Sequence, residues 1–553
     1  MKRIGAEILV ECLKEQGVTT VFGYPGGTVL DIYDALYRDG TIEHVITSHE
    51  QGAAHAADGW ARVTGKTGVV IATSGPGATN LVTGIATAYM DSAPLVAITG
   101  NVGLSLLGRD SFQEIDIFGI TLPITKHNYI VKDVKDLAGI VREAFLIANT
   151  GRKGPVLIDI LKNVQSDTAD YVPQTPVTHS AKPVPARDLE RAAQAIGAAE
   201  RPLILTGGGA IAAEAAEQVR ALAERLDAPV VSTLMGLGAF PASHPLFMGM
   251  IGMHGTSTAA KLCLESDCIL AIGTRFSDRV ALNRDKFAAG KTVVQIDIDN
   301  AELNKNVPVT HPVLGDVKEA LLTLLPMLEA KKDRPFAERA KALRAAERAA
   351  QKAPELGHAI LIEAAKCAPK DAIVVTDVGQ HQMWTAQYYP IERPRTFCTS
   401  GGLGTMGYGM GAAIGAAKAT GKHVILVTGD GCFNMNLNEL STAVTQDLPI
   451  TVLLMNNHAL GMVRQWQKLF YGRRFSQTDV RKKTDYVKFA ESFGAKGLRI
   501  ANKDDIVPVL REAFATPSPV VVDCMIGNDE NVLPMIKPGQ TYDTIMTEWE
   551  EKQ

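Results

Sequence analysis

The stretch KHVILVTGDGCFNMNLNELSTAVTQDLPITVLLMNNHALGM, residues 422–462, decides the fold of the domain that contains it. It opens with an apolar run, His423–Thr428, and continues with a segment of helical period, Asn434–Thr445. A turn and a second apolar run, Ile450–Met455, follow. A strand, a helix and a strand in this order predict a βαβ unit, and therefore a parallel sheet.

Polar residues end both apolar runs. Gly429, Asp430 and Gly431 follow the first, and Asn456-Asn457 follows the second, 27 residues after Gly429. Ligands of parallel sheets bind beyond the carboxyl ends of the strands, where both groups are expected. One carboxylate and one amide oxygen suit Mg²⁺, which shares its coordination with substrate phosphates. A GDG tripeptide alone fits an ordinary tight turn equally well, but this spacing favours a site for a metal and a phosphate.

Composition describes a globular chain with several domains. Its 553 residues exceed what one core accommodates, so three domains are expected. A net charge of −4 with mixed signs predicts neither a nucleic acid nor a membrane surface as a partner. The seven cysteines are scattered without a CxxC pair, and the charged N-terminal helix pattern is not that of a targeting peptide. A cytoplasmic protein is predicted.

The chain divides into units that predict an α/β fold class with three doubly wound parallel-sheet domains. The predicted boundaries are 1–165 for the first domain, 186–328 for the central domain, 357–526 for the third domain and 527–553 for a C-terminal tail. A Pro/Thr/Ser-rich linker at 166–185 and a charged, solvated helical connector at 329–352 separate the domains. The tail either covers a neighbouring site or frays.

The first unit contains a faint copy of the opening stretch. In Val69–Asn101, Gly75-Pro76-Gly77 stands where GDG stands, and Asn101 follows its first glycine by 26 residues rather than 27. The repeat suggests two domains of one topology, of which the first lacks the metal carboxylate, although chance similarity between βαβ units remains an alternative. The central unit has a strand entering Gly207-Gly208-Gly209 but no complete GxGxxG motif, so cofactor binding and a purely structural role both stay open.

The motif GDG-x(24)-NN resembles the diphosphate-binding motif of thiamine-diphosphate (ThDP) enzymes. The three units resemble the pyrimidine-binding, central FAD-type and diphosphate-binding domains of the pyruvate-oxidase-like members. Several segments narrow the resemblance to the catalytic subunits of the acetolactate (acetohydroxyacid) synthases. They are VFGYPGG (21–27), SHEQGAAHAADGWAR (48–62), SFQEIDIFGIT (111–121), GQHQMW (379–384), SGGLGTMG (400–407) and LGMVRQWQ-x-LF (460–470).

The resemblance implies a set of residues for ThDP and its metal. Asp430, Asn457 and the Ala459 carbonyl would hold Mg²⁺ on the diphosphate. Glu50 would hydrogen-bond the aminopyrimidine ring and promote the tautomer that removes the thiazolium C2 proton. Met406 would bend the cofactor, with Gly404 leaving room for the pyrimidine. The other implied ThDP contacts are Gly27, Gly379, Gln380, His381, Gly429, Gly431, Cys432, Gly461 and Met462.

Substrate and flavin residues are implied in the same way. Trp466 matches a tryptophan that favours 2-oxobutyrate as second substrate, and Gly27, Phe112, Gln113 and Lys162 map to the acceptor pocket. FAD would contact Arg152, Met253, His254, Gly273, Thr274, Arg275, Asp297 and Asp316. One departure concerns the flavin: residues 275–279 read RFSDR where the biosynthetic enzymes typically read RFDDR, so Ser277 replaces an acid.

The implied activity is ThDP- and Mg²⁺-dependent decarboxylation of pyruvate and its ligation to pyruvate or 2-oxobutyrate. The products would be 2-acetolactate or 2-aceto-2-hydroxybutyrate, in branched-chain amino acid biosynthesis. Active sites would lie at the interface of a homodimer or homotetramer, and a small regulatory subunit is possible. The alternatives are a catabolic acetolactate synthase without FAD, another pyruvate-oxidase-like ThDP enzyme and a non-catalytic protein that retains the fold.

Overall fold

The computed structural model describes residues 1–177, 183–351, 353–480 and 483–548. Within them the chain forms three six-stranded parallel sheets, each covered by helices, which confirms the predicted α/β class. Parallel sheets of this kind bury both faces, and the central strands are accordingly continuous apolar runs. None of the described helices is both long and apolar enough to span a bilayer.

The first domain contains eight strands and eight helices in its described residues. The strands are β1 (Lys2–Ile4), β2 (Thr20–Tyr24), β3 (Glu43–Ile46), β4 (Gly68–Ala72), β5 (Leu95–Asn101), β6 (His127–Val131), β7 (Pro155–Leu161) and β8 (Thr168–Asp170). The helices are α1 (Gly5–Glu15), α2 (Leu30–Asp39), α3 (Glu50–Thr64), α4 (Pro76–Asn80), α5 (Val82–Asp91), α6 (Ile117–Thr121), α7 (Val134–Asn149) and α8 (Lys162–Ser166). Strands β1 and β8 form a separate antiparallel pair.

The central domain follows, with a helix that connects it to the third domain. Its strands are β9 (Pro202–Thr206), β10 (Val230–Ser232), β11 (Phe247–Met250), β12 (Cys268–Ile272), β13 (Thr292–Asp297) and β14 (His311–Leu314). Its helices are α9 (Ala186–Ala198), α10 (Gly208–Ala212), α11 (Ala216–Leu226), α12 (Ser257–Glu265), α13 (Asp278–Ala281), α14 (Arg284–Phe287), α15 (Val317–Leu324) and the connecting helix α16 (Pro335–Ala349).

The third domain is built in the same way. Its strands are β15 (Ile373–Thr376), β16 (Phe397–Thr399), β17 (Val424–Gly429), β18 (Ile450–Asn456), β19 (Lys496–Ile500) and β20 (Val520–Met525). Its helices are α17 (Leu356–Cys367), α18 (Gln380–Tyr388), α19 (Gly409–Thr420), α20 (Asp430–Asn436), α21 (Leu440–Thr445), α22 (Gly461–Phe470), α23 (Tyr486–Ser492) and α24 (Ile506–Ala515).

The first and third sheets have the same topology. Their strand orders are β3-β2-β4-β5-β7-β6 and β16-β15-β17-β18-β20-β19, which correspond strand for strand. The equivalence extends to side chains. Asn101 on β5 donates to Asp159 on β7 at 2.6 Å, and Asn456 on β18 donates to Asp523 on β20 at 2.9 Å. In both sheets the bond joins the fourth and the last strand in chain order. The predicted common topology of the first and third domains is confirmed.

Four local predictions differ in detail from the structure. The helix predicted at 434–445 begins at Asp430 and is interrupted by a 3₁₀ turn at Leu437–Glu439. Residues 168–170 of the predicted linker form β8, and residues 178–182 lie outside the described part. The connector α16 buries Phe336 and Ala340 against the central core, so only its other face is solvated; Lys352 is outside the described part. The tail packs down as far as Tyr542, and its last residues, 549–553, are likewise not described.

Helices α3 and α19 hold the first and third domains together. The alanines of both helices are fully buried except Ala419 near the end of α19, and the glycines allow backbone to meet backbone. A Cβ at Gly415 would overlap the carbonyl oxygen of Ala56, and one at Gly59 would overlap the carbonyl oxygen of Ala412. Because interiors pack without spare volume, no larger residue fits between these helices.

Gly415→Ala is therefore expected to lower the free energy of unfolding by about 1–3 kcal/mol, since a methyl group forced into a packed contact displaces backbone. Gly139→Ala is the matched control, because Gly139 also lies inside a helix but has nothing near its Cβ position. The control is expected to be neutral or to stabilise by up to about 1 kcal/mol. Thermal and denaturant midpoints compare the two; equal midpoints would contradict the close approach.

Candidate active site

A buried carboxylate lies where the third sheet meets α20. Strand β17 ends at Gly429 and α20 begins at Asp430, whose side chain is almost fully buried. Burial raises the pKa of Asp430 to about 6, although His458 and the backbone N–H groups of Gly431 and Asn457 oppose the rise. Its Oδ1 has no hydrogen-bond partner. An unpartnered buried carboxylate oxygen calls for a cation.

Asn457 stands beside this carboxylate at the end of β18. The chain turns at His458, which has a left-handed φ of 54°, so that the Ala459 N–H donates to Asn457 Oδ1 at 3.0 Å. Within the described residues no three His, Cys, Asp or Glu side chains cluster as a metal site by themselves. The carboxylate and amide oxygens supply part of a hard-ligand shell, and phosphate oxygens and water would have to supply the rest.

The start of α18 forms the next wall of the site. Gln380 donates to the Glu530 carbonyl at 2.7 Å and to Gln465 Oε1 at 3.1 Å, and it accepts from Asn457 Nδ2 at 3.4 Å. Burial lowers the pKa of His381 to about 3, so its ring is neutral, and Nε2 has no partner. The ring nitrogen fits a further polar contact from a bound molecule.

Glycines keep this wall open to an approaching phosphate. A Cβ at Gly461 would overlap Gln380 Oε1 and lie 2.7 Å from Asn457 Nδ2. Gly379 has a φ of 156°, and a Cβ there would lie 2.8 Å from the His381 ring; one at Gly429 would lie 3.0 Å from His381 Nδ1. Side chains at these positions would fill the space between the polar groups.

A loop between β16 and α19 brings Met406 to the same edge. The half-buried Met406 places its Cε 3.7 Å from the position that a Cβ on Gly431 would occupy. Gly404 has a φ of 73° and only Val378 near its Cβ position, at 3.9 Å. The Cys432 thiol is turned toward the Val378 carbonyl, at 3.1 Å. The structure thus gathers the predicted third-domain residues Gly379, Gln380, His381, Met406, Gly429, Asp430, Gly431, Asn457, Ala459 and Gly461 around one strand-end edge.

The predicted first-domain residues form a second group. Glu50 begins α3 and its Oε2 accepts from Asn80 Nδ2 at 2.9 Å. Gln113 has a left-handed φ of 59° and lies against Gly75. Gly27 is exposed, and Lys162 pairs with Asp31 at 2.9 Å. These residues lie at the carboxyl edge of the first sheet, the counterpart of the edge that carries Asp430.

One chain does not bring the two groups together. Among the contacts of the described residues, none links Glu50 to Asp430 or Asn457, and the cavity beside Met406 is not lined by Glu50. Large apolar side chains are exposed near both groups instead, including Phe112 with 88% of its surface accessible. The others are Tyr24, Leu30, Ile46, Leu104, Leu106, Leu403 and Met435. Exposed apolar surface on this scale is typical of a protein interface.

A cavity of about 2820 Å³ runs from the Met406 loop into the central domain. The central sheet has the order β11-β10-β9-β12-β13-β14, that of dinucleotide-binding sheets, and the cavity opens at the β9/β12 switch point. Gly207 and Gly273 meet there so closely that a Cβ on Gly207 would overlap the Gly273 carbonyl. All eight residues predicted for FAD line this cavity: Arg152, Met253, His254, Gly273, Thr274, Arg275, Asp297 and Asp316.

Some of the charged and polar atoms around this cavity have partners within the protein, and others have none. Arg152 donates to Glu302 Oε1 at 2.7 Å and to Ser92 Oγ at 2.8 Å. Glu302 Oε2 and His254 Nδ1 are buried without partners, and burial raises the pKa of Asp297 to about 6. Ser277 also lines the cavity and is followed by Asp278. Unpartnered polar atoms and a glycine-walled crevice fit a polar dinucleotide.

Trp466 and Met462 line the other end of the cavity, on α22. Gln465, between them, fixes the helix: it accepts from the Val532 N–H at 2.8 Å and donates to the Val532 carbonyl at 3.1 Å. Gln465 is not among the predicted site residues, and neither is the buried Glu439, which accepts from the N–H groups of Ser48 and His49. Gln465 lies within the segment 460–470 and Glu439 within the segment 422–462, but nothing in either pattern sets them apart, and their long-range contacts reveal them.

The sequence matches three family models in this order along the chain. They are the thiamine pyrophosphate enzyme N-terminal TPP-binding domain (residues 3–120), central domain (189–324) and C-terminal TPP-binding domain (377–524). The chain therefore belongs to the thiamine-diphosphate enzymes, and within them to the acetolactate synthases, as its relatives demonstrate.

The acetolactate synthase large subunit of Corynebacterium glutamicum is 46% identical over 98% of this chain and 90% of its own length. That of Haemophilus influenzae is 43% identical over the whole of both chains. A probable acetolactate synthase large subunit of Methanocaldococcus jannaschii is 45% identical over 97% of this chain and 94% of its own. The predicted family and ThDP-dependent acetolactate synthesis are confirmed.

Proposed function

We propose that this acetolactate synthase uses Mg²⁺ and FAD besides ThDP and joins pyruvate to pyruvate or 2-oxobutyrate. The products are 2-acetolactate and 2-aceto-2-hydroxybutyrate, intermediates of branched-chain amino acid biosynthesis. The observation that carries the proposal is the unpartnered Oδ1 of the buried Asp430 beside Asn457, at the strand-end edge where phosphates bind.

The third-domain edge is proposed as the diphosphate half of the site. Asp430, Asn457 and the Ala459 carbonyl would hold Mg²⁺, and phosphate oxygens and water would complete its coordination. Gln380 and His381 offer hydrogen bonds to the phosphates; the neutral His381 ring leaves Nε2 available for this role. The other proposed contacts are Gly379, Gly404, Gly429, Gly431, Cys432, Gly461 and Met462.

ThDP supplies, when bound, a thiazolium carbon that attacks a 2-oxo acid and accepts the electrons released by decarboxylation. Glu50 holds or moves a proton at its free carboxylate oxygen, while its other oxygen is fixed by Asn80. Met406 is proposed as the apolar support that fixes the cofactor's conformation. Gly27 leaves room for the cofactor at the same edge.

Substrate selection is proposed for residues at the margins of this site. Trp466 presents an aromatic wall to the cavity and packs against the central core. Gln113 and the exposed Phe112 lie on the first-domain side, and Lys162 supplies a positive charge for an anionic acceptor. An apolar wall and a cation together suit a small 2-oxo acid, whose carboxylate and alkyl ends require different surroundings.

The central cavity is proposed as the FAD site. Its sheet order, glycine crevice, size and the unpartnered atoms of Glu302 and His254 support a dinucleotide. The flavin has no net redox role in this reaction. Its proposed contacts are Arg152, Met253, His254, Gly273, Thr274, Arg275, Asp297 and Asp316.

The working unit is proposed to be a homodimer or homotetramer, in which Glu50 of one chain meets Asp430 of another. The separation of the two groups within one chain and the exposed apolar side chains near each support this arrangement. The relatives are named large subunits, which supports a small regulatory subunit as a further partner. A cytoplasmic location is proposed.

Glu50→Gln is expected to lower turnover by at least about tenfold, because an amide cannot exchange a proton in this role. The amide oxygen still accepts from Asn80, so the fold should persist. Glu190→Gln, on the exposed face of α9, is the matched control with the same chemical change. Acetolactate formation and thermal midpoints are measured; near-normal turnover in Glu50→Gln would contradict the assignment.

Asp430→Asn is expected to weaken Mg²⁺-dependent ThDP binding by at least about tenfold, because it removes the only anionic protein ligand of the metal. Titration calorimetry with ThDP, with and without Mg²⁺, gives the affinities. Asp504→Asn, on the surface of the same domain, should bind as the wild type does. Equal affinities for the Asp430→Asn variant and the wild type would rule out a metal at this carboxylate.

The purified wild type is expected to carry about one FAD per chain, since the cavity fits one dinucleotide. Flavin absorbance measures the content, and product analysis with pyruvate, with and without 2-oxobutyrate, measures the reaction. ThDP, Mg²⁺ and FAD are added singly and together to the stripped protein. Full acetolactate synthesis without any flavin would favour the catabolic, FAD-independent alternative; acetaldehyde or peroxide as product would favour another ThDP enzyme.

A further inference from the structure

The loop Ser400–Met406 touches all three domains of the chain. The Gly401 and Gly402 N–H groups donate to the two carboxylate oxygens of Asp91, in the first domain, at 3.0 and 2.6 Å. Central-domain side chains crowd the same glycines: a Cβ on Gly401 would overlap Sδ of Met235, and one on Gly402 would lie 2.9 Å from Nη2 of Arg275. The first half of the loop is therefore held between residues of the first domain and residues of the central domain.

The second half of the loop has a separate contact with the first domain. Thr405 and Thr87 share a buried hydrogen bond of 2.7 Å between their hydroxyl groups, and the Thr405 N–H donates to Ser400 Oγ at 3.0 Å. Between these anchors Leu403 is 44% exposed and Gly404 has open space around its Cβ position. The position of Met406 thus depends on the anchors on either side of Leu403 and Gly404.

Asp91 is itself held by a largely buried arginine, Arg62. The Asp91 side chain is fully buried, and Arg62 Nη2 donates to its Oδ2 at 3.0 Å. Arg62 also pairs with the buried Asp58 and donates from Nη1 to the Thr399 carbonyl, just before the loop, at 3.0 Å. Charge-assisted bonds in a dry environment fix direction strongly. Asp91 therefore presents both oxygens to the loop in one orientation.

We propose that Asp91, oriented by Arg62, is a positioning residue that sets the Ser400–Met406 loop and thereby the placement of Met406 against the cofactor. Its side chain is fully buried and acts on the loop through the two glycine N–H groups. The inference rests on the proposed role of Met406. It deepens that role by making the first domain of the same chain responsible for the conformation of the third-domain half-site.

A purely structural role for Asp91, as part of the contact between domains, is the competing explanation. Both explanations predict some loss of stability when the carboxylate is changed. Only positioning predicts an effect confined to the loop and to the chemical step, because errors of about 1 Å in catalytic geometry cost up to about a hundredfold in rate. The test therefore separates local from general changes.

Asp91→Asn is the informative variant, because the shape is kept while one acceptor becomes a donor that faces an N–H group. Hydrogen–deuterium exchange of the protein without cofactor is expected to become at least about tenfold faster at Gly401 and Gly402. Exchange in the buried strand β17 should stay unchanged. Tyr408→Phe is the matched control, since it removes a hydrogen bond to Asp58 from the same charged cluster but leaves both bonds from Asp91 to the loop.

Thr87→Val provides a second, uncharged variant, which releases Thr405 and should speed exchange in the second half of the loop. Arg62 is left unchanged, since its removal would strand two buried carboxylates and endanger the fold.

With the cofactors bound, Asp91→Asn is expected to lower kcat by about tenfold or more with little change in the KM for pyruvate. Tyr408→Phe should retain the wild-type kcat. Unchanged exchange at Gly401 and Gly402 would overturn the proposal, as would faster exchange with an unchanged kcat, or an increase in exchange spread equally over β17. A wild type that makes no acetolactate would instead refute the proposed function, and the exchange data would still decide whether Asp91 fixes the loop.

Discussion

The backbone contact between α3 and α19 is the constraint on which the rest of the molecule depends. It makes the first and third sheets of one chain a single rigid body, because glycine and alanine leave no side chain between the helices to rearrange. Helix α3 carries Glu50 at its first residue and Arg62 in its last turn. Helix α3 therefore presents the Glu50 carboxylate at the edge of the first sheet. Through Arg62 and Asp91 it also holds the Met406 loop of the third domain.

The duplicated topology explains why a single chain contains two different half-sites. Both sheets end their strands in glycine-rich turns, and both fix the fourth strand with an Asn–Asp hydrogen bond. In the third domain the turn carries Asp430, whereas the first domain has Pro76 in the equivalent place and cannot supply a metal ligand. One copy offers polar groups for phosphates, and the other offers Glu50 and an apolar, exposed rim.

The sequence alone was sufficient to predict the positions of those candidate site residues that lie at the ends of apolar strands. Asp430 and Asn457 were predicted to meet because parallel strands end at a common edge, and they do. Glu439, Arg62 and Asp91 escaped prediction, since charged residues on helices ordinarily face solvent and their partners lie up to 391 residues away. The central domain illustrates the same limit: GGGA completes no motif, but the strand order, which only the structure gives, creates a glycine-walled crevice between β9 and β12.

The tail crosses from the third sheet onto the central domain, where Ile536 and Tyr542 are buried and the Tyr542 hydroxyl donates to the Val280 carbonyl. On the way it fixes α22 through Gln465 and Val532. These residues leave the ribosome after all three sheets have been synthesised. A nascent chain whose three sheets have just been translated therefore still lacks the residues that fix α22 and its Trp466.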